Sequence, residues 1–441
     1  DHPMSNVSHR ISRRRFLRTS GAVAAATAMT ARSYAQTAGA NDRLNLALVG
    51  CGGIAKEHHG ALLKLRESDN LGILAVCDVY EKRAKEFQAA FKEGGAGEPA
   101  VFKDYHDILA MKDIDCVVFC TPEHWHARNI LDSLDAGKHV YVEKPMTHTI
   151  PEALAVVEKA KKTGLKVQVG VQGMSDESYI RAHEAIAAGK LGPVVHAQIE
   201  YCRNYDINEG PWRGRIETHE KPADLDWDMW LGPAPKRPWS AARYFEWRNY
   251  KDYSGGVGTD LFVHRLCRIV KACGLKFPRT VLGQGGVYIW KDDRELPDNF
   301  QMVADYDPVE GITPGMTVHI LGTMANRFRY DHAIRGHKAT LLFGGGKGGF
   351  EIIEERTGKV LETYQRVGGE DMRLHHHNHH LAIRDGVELN CPPELGLYVG
   401  AAVRMANLSW FQNRLLAWDD KASRVVPADQ LYPPTQPVEV G

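Results

Sequence analysis

Short apolar runs alternate with longer amphipathic stretches through the first third of the chain. Continuously apolar runs at residues 46–49, 73–77 and 116–120 are typical of strands that are buried on both faces of a sheet, and two more follow at 139–142 and 166–171. The intervening segments 55–65, 81–91, 124–136 and 151–163 have helical periodicity. Strands that alternate with helices predict an α/β fold with a doubly wound parallel sheet over residues 41–171.

The periodicity changes after Ser178. A helix at 179–188 is followed by strand-like runs at 194–201, 281–289, 302–306, 317–322 and 340–343, with few long helices between them. This pattern predicts an α+β domain over 172–441 with a large, mostly antiparallel sheet that is left open on one face. Because such a face usually pairs with a second copy, we expect a homodimer or homotetramer formed through this sheet.

The loop after the first strand reads G-x-G-G-x-A. Gly50 permits a tight turn from strand to helix, Gly52 lets the backbone approach a pyrophosphate, and Ala55 lets the helix sit close to the strand. Phosphates would then meet free amides at a helix N-terminus. We therefore expect a Rossmann domain whose cofactor is bound by Gly50, Gly52, Gly53 and Ile54.

An acidic residue, Asp78, directly follows the second apolar run. A carboxylate at this position can accept hydrogen bonds from the adenosine ribose hydroxyls and repels a 2′-phosphate. We expect Asp78 to select NAD, and NADP remains possible because Lys82 and Arg83 lie just beyond and could supply a cation.

The composition narrows the range of partners. Lys plus Arg and Asp plus Glu both number 55, so the net charge is zero and no basic field exists to attract nucleic acid. Among the eight cysteines, Cys77, Cys116 and Cys120 lie in apolar strand-like runs, and no C-x-x-C occurs. We expect free, buried thiols and no cysteine metal site.

The N-terminal segment has the features of an export signal. Residues 1–3 precede Met4 and look like an added remnant. Residues 12–17 place arginines ahead of a small-residue apolar stretch at 21–29, and residues 33–35 offer a cleavage site. We expect residues 4–40 to be a twin-arginine signal peptide that directs the folded protein to the periplasm, the alternative being a basic tail. The apolar stretch is too short for stable membrane insertion.

Two further motifs follow predicted strands of the first domain. Residues 121–126 read T-P-E-H-W-H, and residues 143–145 read E-K-P. After a glycine loop of this kind, the pair resembles the Gfo/Idh/MocA family of oxidoreductases, named for glucose-fructose oxidoreductase and inositol dehydrogenase. The resemblance extends from Asn41 onward.

The resemblance implies roles for these residues. Lys144 would lie at the nicotinamide and the substrate, and the bond from Lys144 to Pro145 is often cis in the family. The other residues implied on the cofactor side are Thr121, Pro122, Trp125, His126, Glu143 and Gln172. The alternatives are a surface lysine for Lys144, a helix-face histidine for His126 and a loop-start glutamine for Gln172.

A segment rich in tryptophan, tyrosine and arginine, residues 202–253, interrupts the second domain, and we call it the insertion. Aromatic planes stack on the C–H faces of sugars, and arginine forks bind hydroxyls or carboxylates. We expect Trp212, Arg213, Trp247 and Arg248 to contact substrate. The alternative is that most of these rings form the core of a loop-rich region.

The insertion ends in a glycine-rich turn that leads into a D-x-x-x-H helix. Asp260 and His264 are four residues apart, which would put both side chains on one helical face. By resemblance, His264 transfers a proton and Asp260 orients it or binds a substrate hydroxyl, so the expected catalytic set is Lys144, Asp260 and His264. Phe262 stands where the family often has glycine, which leaves the pocket shape and the substrate open.

The run from His375 to His380 suggests a metal site, because imidazoles one turn apart can chelate. The following LAIRDG resembles a late helix of the family, with the histidines spread around its start. We therefore expect no metal.

These observations predict an exported NAD(P)-dependent oxidoreductase that transfers hydride between a carbohydrate hydroxyl and a tightly bound nicotinamide cofactor. The expected partner is a small carbohydrate, either a pyranose, a polyol or a derivative. The alternative is an NAD-dependent glycoside hydrolase that oxidises its substrate transiently. A nucleotide-binding structural or regulatory protein has little support.

Overall fold

The computed structural model describes residues 42–344, 348–367 and 369–432. The expected signal peptide at 4–40 lies outside the described residues. Within them, the chain forms one sheet of six strands and one of ten.

The first sheet is parallel throughout. Its strands are β1 (Leu44–Val49), β2 (Leu71–Cys77), β3 (Ala100–Phe102), β4 (Cys116–Phe119), β5 (His139–Glu143) and β6 (Val167–Gly170), in the spatial order β3-β2-β1-β4-β5-β6. The connecting helices are α1 (Ala55–Leu65), α2 (Glu81–Glu93), α3 (Tyr105–Leu109), α4 (Glu123–Asp135) and α5 (Ile150–Thr163). This arrangement confirms the predicted doubly wound sheet, and its strand order reverses beside β1, where ligands bind in such folds.

The second sheet is antiparallel except for one parallel pair, β7 with β10. Its strands are β7 (Val194–Cys202), β8 (Thr280–Gly286), β9 (Asn299–Tyr306), β10 (Met316–Thr323), β11 (His332–Gly336), β12 (Ala339–Phe343), β13 (Gly349–Glu354), β14 (Val360–Gln365), β15 (Leu416–Asp419) and β16 (Arg424–Pro427). Their spatial order is β14-β13-β12-β11-β7-β10-β9-β8-β15-β16. The predicted large, mostly antiparallel sheet is confirmed.

Six helices accompany this sheet in the described part of the chain. They are α6 (Glu177–Ala187), α7 (Trp227–Leu231), α8 (Ala241–Phe245), α9 (Val263–Cys273), α10 (Met372–Asp385) and α11 (Pro393–Gln412). The alternation of buried and half-buried residues along β9 and β10 shows that only one face of the sheet is fully covered.

The long helix α11 joins the two domains. It packs on α5 of the first domain and on β8 of the second sheet. A Cβ on Gly283 would lie 2.0 Å from the carbonyl oxygen of Ala406, so β8 can approach α11 this closely only with glycine. Buried residues of both sheets therefore belong to one continuous core.

The sequence pattern does not predict α11. Most of its residues are apolar and buried, and no side chain caps its N-terminus, so the helix lacks the amphipathic pattern and the start signal on which recognition depends. The strand-like run at 281–289 is shorter than expected, because β8 ends at Gly286.

No helix in the described residues is long and apolar enough to cross a membrane. All eight cysteines are free and buried, as the sequence predicts.

Candidate active site

A cavity of about 660 Å³ opens beyond the carboxyl ends of the parallel strands. One side, which we call the Rossmann wall, consists of Val49, Gly50, Gly52, Gly53, Ile54, Glu57, Cys77, Asp78, Val79, Arg83, Lys103, Asp104, Tyr105, His106, Cys120, Thr121, Pro122, Trp125 and Asn129. The other side, the insertion wall, consists of Arg215, Glu217, Met229, Trp230, Tyr244, Phe245, Trp247 and Arg248. The volume lies within the usual range for a cofactor or small-molecule site.

The glycine loop is shaped as a backbone cradle. Gly50 has a φ of +88°, and a Cβ there would lie 2.8 Å from the carbonyl carbon of Cys120, so both its conformation and its packing require glycine. A Cβ on Gly52 or Gly53 would meet nothing within 4 Å, so these residues leave open space in front of the start of α1. This space fits the phosphates of a dinucleotide.

Asp78 lies at the end of β2, beside the glycine loop. Its two carboxylate oxygens accept hydrogen bonds from the Cys51 amide at 2.7 Å and the Tyr80 amide at 2.8 Å. Burial raises the pKa of Asp78 even though these amides and the Arg83 charge oppose the shift. Each oxygen keeps a lone pair, so the carboxylate fits the ribose hydroxyls of NAD.

Arg83 is the cation that could accommodate NADP, and it is already paired. Its Nη2 donates to Glu217 of the insertion at 2.9 Å. The guanidinium lies 5.3 Å from the centroid of the Tyr244 ring and 5.6 Å from that of Phe245. Neutralisation by Glu217 lowers the attraction that Arg83 offers to a 2′-phosphate.

The insertion is hydrogen-bonded to the loop that follows β2. Tyr80 and Leu225 form an isolated antiparallel bridge. The amide of Glu81 donates to Asp224 at 3.1 Å, and the amide of Asp226 donates to Val79 at 2.9 Å. The insertion therefore covers the side of the cavity where Asp78 lies.

Lys144 and Asp260 form a buried pair behind the cavity. Lys144 Nζ donates to the Asp260 carboxylate at 2.8 Å and to the Asp260 carbonyl at 2.7 Å. Arg248 Nε donates to the same carboxylate at 2.8 Å. The charges of Arg248 and Lys144 hold the pKa of Asp260 well below its usual range, although burial alone would raise it. Arg248 also lines the cavity, so it connects the Lys144–Asp260 pair to the cavity wall.

His264 follows Asp260 by one turn. Burial, together with the nearby charge of Lys144, lowers the pKa of His264 to about 3. Its imidazole is therefore neutral at physiological pH. Asp260 lies in a π-helical turn, Gly258–Phe262, that precedes α9. Among the described residues, the carboxylate of Asp260 is hydrogen-bonded to Lys144 and Arg248 rather than to His264.

Glu123, at the start of α4, anchors the glycine-rich turn ahead of Asp260. Its Oε1 accepts hydrogen bonds from Ser254 at 2.5 Å and from Thr259 at 2.7 Å. Arg404 of α11 donates to Oε2 at 2.8 Å. Burial would raise the pKa of Glu123, but a hydrogen bond from His148 and the Arg404 charge lower it to about 2. We did not single out Glu123 from the sequence, because its partners lie far along the chain.

Several predicted cofactor residues lie at or near the cavity. Gly50, Gly52, Gly53, Ile54, Asp78, Thr121, Pro122 and Trp125 all line it. His126 is buried, and its ring nitrogens face the carbonyls of Pro145 at 2.6 Å and Thr121 at 2.7 Å, so it braces two loops behind the wall.

The Lys144–Pro145 bond is cis. Glu143 pairs with His58 at 3.0 Å, and Gln172 begins a short 3₁₀ turn after β6. The lining includes none of His126, Glu143, Lys144, Gln172, Asp260 and His264.

The predicted substrate residues divide into two groups. Trp247 and Arg248 line the cavity, and the Arg248 guanidinium lies 4.3 Å from the centroid of a Trp247 ring. Trp212 is instead buried in the core. Arg213 donates to Glu246 and Asp293, both at 2.5 Å, and to Asp292 at 3.1 Å. These carboxylates occupy its fork, so the structure does not bring Trp212 and Arg213 to the cavity.

Six cavity residues of the insertion are not among those expected to contact substrate: Arg215, Glu217, Met229, Trp230, Tyr244 and Phe245. The aromatic and arginine content identifies the segment, but it does not say which side chains face the first domain. These side chains could be identified only if the pairing of the insertion with the loop after β2 were known.

The histidine run lies inside α10 rather than around the start of that helix. His375 contacts Ser175 and the Val169 carbonyl, and His377 and His380 contact Asp69. Among the described residues, no group of three or more His, Cys, Asp or Glu side chains could hold a metal ion.

Two sequence models of one family match the chain. A model of the Gfo/Idh/MocA oxidoreductase family, described as an NAD-binding Rossmann fold, matches residues 44–171. The model of the C-terminal alpha/beta domain of that family matches residues 179–272. Together they cover about half of the chain. The first domain is thus an NAD-binding Rossmann domain.

Several curated proteins are similar to part of the chain. It is 32% identical over 166 residues to a 4-carboxy-2-hydroxymuconate-6-semialdehyde dehydrogenase of Sphingobium sp., covering 37% of this chain and 50% of the relative. It is 32% identical over 172 residues to an inositol 2-dehydrogenase of Salmonella agona, covering 38% and 48%. It is 25% identical over 235 residues to a glycosyl hydrolase family 109 protein of Shewanella sp., covering 46% and 50%. The chain spans about half the length of the curated relatives that it matches.

A solved structure shares the fold. The WlbA dehydrogenase from Bordetella pertussis, in complex with NADH and UDP-GlcNAcA, superposes with a TM-score of 0.63 at 18% identity, covering 86% of this chain and 99% of that chain.

Proposed function

The chain belongs to the Gfo/Idh/MocA oxidoreductase family, and from this premise we propose that it is an exported, NAD-dependent oxidoreductase acting on a hydroxyl of a carbohydrate. The observation that carries the proposal is the Lys144–Asp260–Arg248 cluster. The glycine loop lines the neighbouring cavity, and Arg248 belongs both to the cluster and to the cavity wall. Arg248 therefore connects the polar cluster to the space that would hold the nucleotide.

The residues of the Rossmann wall fit NAD. Gly50, Gly52 and Gly53 would hold the pyrophosphate, and Asp78 would hold the adenosine ribose. Thr121, Pro122 and Trp125 would lie on the nicotinamide side. When bound, the nicotinamide supplies the acceptor for the hydrogen that leaves a carbinol carbon as hydride.

The Lys144–Asp260–Arg248 cluster and the nearby His264 would bind the substrate hydroxyl and take up its proton. Lys144 donates two of its three N–H bonds to Asp260, which leaves one for a substrate oxygen. His264 is neutral at physiological pH and offers a lone pair to the hydroxyl proton, and its low pKa means that it would pass this proton on rather than hold it. Asp260 acts as a fixed acceptor that orients both Lys144 and Arg248.

The insertion wall supports the proposed substrate class. Trp247 and Arg248 both line the cavity, and the Arg248 guanidinium lies over one face of the Trp247 ring. Sugars offer C–H faces that stack on aromatic rings and hydroxyls that accept from guanidinium. The WlbA dehydrogenase, which shares this fold, is in complex with UDP-GlcNAcA as well as NADH.

The same wall supports tight retention of the nucleotide. Retention would be needed in the periplasm, where nicotinamide nucleotides are scarce, and residues 12–17 supply the export signal of the proposal. The bridge between Tyr80 and Leu225 and the Arg83–Glu217 pair hold the insertion over the cavity. We expect the nucleotide to remain bound during gel filtration. Loss on dilution would count against an extracytoplasmic role.

The second candidate is an NAD-dependent glycoside hydrolase. It is favoured by the similarity to the family 109 protein, which extends over 235 residues against 166 and 172 for the two dehydrogenases. In this reaction His264 would remove the proton beside a transient ketone, so that a glycosidic oxygen is expelled before water adds and the ketone is reduced again.

One experiment separates the two candidates. The purified protein is denatured, and the released nucleotide is identified by mass and absorbance. The native protein is then offered free sugars and aryl glycosides without added nucleotide. Keto-sugar formation supports the oxidoreductase, whereas release of the aglycone with unoxidised sugar supports the hydrolase. Absence of any nicotinamide nucleotide would exclude both.

Export needs its own test. We expect the protein to be found in the periplasmic fraction, and replacement of Arg13 and Arg14 by lysine to retain it in the cytoplasm. Periplasmic localisation of that variant would contradict the twin-arginine assignment.

A further inference from the structure

The histidines of α10 have no part in the proposed function, yet most are fully buried. His375, His376, His379 and His380 are at most 1% exposed, whereas the His377 side chain is 46% exposed. Histidine is fully buried less often than the apolar residues. These side chains pack against α1 and the end of β5, which is the strand that carries Glu143 and leads to Lys144.

A hydrogen-bonded chain begins at Glu143. Its Oε1 contacts His58 Nε2 at 3.0 Å, and His58 Nδ1 contacts His376 Nε2 at 2.8 Å. Tyr141 stacks on the His376 ring with centroids 4.3 Å apart. All four side chains are buried, so this inner half is shielded from solvent.

A second hydrogen-bonded chain leads from α10 to the surface. His380 Nδ1 contacts Asp69 Oδ2 at 2.7 Å, and Asp69 Oδ1 contacts His377 Nδ1 at 3.0 Å. The Asp69 side chain is 1% exposed, so His377 is the solvent end of this outer half. Arg384 donates to the Asp69 carbonyl and fixes the loop.

The two halves meet within one turn of α10. The ring centroids of His376 and His380 are 5.8 Å apart. His376 Nδ1 is buried without a hydrogen-bond partner among the described residues, which is unfavourable for a polar atom. One water held between the His376 and His380 rings would satisfy it and connect the halves.

We propose that His58, His376, one bridging water, His380, Asp69 and His377 form a proton path between Glu143 and solvent. Each imidazole takes a proton on one ring nitrogen and releases one from the other, so one N–H or O–H bond breaks as the next forms. The net change is the transfer of one proton. Burial lowers the pKa of His376 well below its usual value, which keeps that ring neutral and able to relay.

The use of this path rests on the proposed function, because oxidation of a hydroxyl releases a proton inside a closed site. Glu143 is the entry point, because its carboxylate interacts electrostatically with Lys144 and His264; the backbone N–H of Lys144 donates to its Oε2 at 3.2 Å and holds it in place. The charged groups along the path are Glu143 and Lys144 at the inner end and Asp69 and Arg384 at the outer end. The histidines and Asp69 are positioning residues that act through Glu143.

Hydrogen exchange tests the path without any substrate. The nucleotide-bound protein, labelled with ¹⁵N-histidine, is transferred to D₂O, and exchange of the His58 ring N–H is followed by NMR. The variants are His380→Gln, which interrupts the path, and His375→Gln as the matched control. His375 is equally buried on α10, but its nitrogens contact Ser175 at 2.8 Å and the Val169 carbonyl at 2.9 Å, outside the path.

We expect exchange at His58 to be at least roughly tenfold slower in His380→Gln than in the wild type and unchanged in His375→Gln. Equal exchange in His380→Gln would overturn the proposal, as would wild-type exchange as slow as that of the most protected backbone amides. If His380→Gln does not fold, Asp69→Asn interrupts the same half and carries the same expectation.

Turnover supplies a second readout. His58→Gln keeps a donor to Glu143 but cannot relay a proton, so with an oxidised free sugar kcat should fall while KM is unchanged. Imidazole added to His58→Ala should restore kcat, which a purely structural role does not predict. Unchanged kcat in His58→Gln would overturn the proposal. If the wild type oxidises no sugar, the proposed function fails, whereas the exchange result still decides the path.

Discussion

The two walls of the cavity contribute different kinds of chemical groups to it. The part of the Rossmann wall that would hold the phosphates and the ribose is built on backbone: the glycine loop, the amides that bind Asp78 and the ends of β1 and β4. The insertion wall presents side chains, which are aromatic rings and charges held by ion pairs such as Arg83–Glu217. A backbone surface can recognise what all nicotinamide dinucleotides share, whereas a side-chain surface can vary with substrate and with retention. The backbone surface would therefore provide binding, and the side-chain surface would provide selectivity.

The largest expected effect is at the cluster between the walls. Lys144→Ala should lower kcat by at least roughly a thousandfold, because it removes the N–H donor to the substrate oxygen and unpairs Asp260. Nucleotide content should be unchanged, since the glycine loop and Asp78, rather than Lys144, would hold the nucleotide. Steady-state kinetics and nucleotide release measure both. Lys161→Ala, an exposed lysine, is the control, and near-normal turnover of Lys144→Ala would refute the assignment.

Substitutions at two glycines of the Rossmann wall should separate an effect on stability from an effect on nucleotide binding. Gly50→Ala should cost about 3 kcal/mol of unfolding free energy, since the new Cβ is strained and contacts the backbone of Cys120. Gly52→Ala should leave the empty protein equally stable, because nothing lies within 4 Å, but weaken nucleotide binding by roughly tenfold. Chemical denaturation and calorimetric titration test the pair. Equal effects of both substitutions would contradict this division.

Glu123 connects the Rossmann wall to the turn that carries Asp260. Its folded pKa of about 2 lies below the unfolded value of 4.5, so its contribution is complete above pH 4.5 and is lost as the pH falls towards 2. That contribution is about 3 kcal/mol. Glu123→Gln should therefore be less stable than the wild type at pH 7, and the gap should narrow below pH 4.5. Denaturation at several pH values measures it, with the exposed Glu158→Gln as control. A gap independent of pH would be inconsistent with this role.

Asp78 tests what the Rossmann wall contributes to selectivity. Asp78→Asn removes the negative charge but keeps an acceptor, so the preference for NAD over NADP should fall by roughly tenfold. The dissociation constants of both nucleotides, measured on stripped protein, provide the test. The finding of NADP as the sole nucleotide in the wild type would overturn the selectivity argument itself.

The smallest expected effect is at Glu217 on the insertion wall. Glu217→Gln breaks a partly exposed ion pair and should speed nucleotide release by roughly two- to fivefold. It should also free Arg83 to attract a 2′-phosphate, so NADP affinity should rise. Release is followed by fluorescence of the reduced nucleotide, with Glu220→Gln as the control. If Glu217→Gln releases the nucleotide no faster than the control, the insertion does not contribute to retention through this pair.

The contrast between the walls also explains what could be predicted from the sequence. The glycine loop, Asp78 and the residues at strand ends are recognisable because each depends on spacing within a single strand-loop-helix unit. The roles of Glu123 and Glu217 depend on partners from segments far along the chain. Trp212 and Trp247 are both tryptophans of the insertion. Only the fold shows that the Trp212 ring lies in the core and that Trp247 lines the cavity.

The second domain shows the same limit. Its strands are recognisable from alternation, but α11 is not, because a helix buried on most sides has no polar face to reveal its period. The sequence associates the histidine run with a helix but not with its interior, and the burial of the run cannot be foreseen, since it depends on α1 and Asp69.

The bridge between Tyr80 and Leu225 has a consequence for protein engineering. It joins the loop beside Asp78 to the insertion through backbone hydrogen bonds, which no side-chain substitution removes. A chimera that receives only the β2–α2 loop of another family member would lose its backbone partner in the insertion. Transplantation of cofactor preference between such proteins therefore requires that the loop and the insertion be exchanged together as one module.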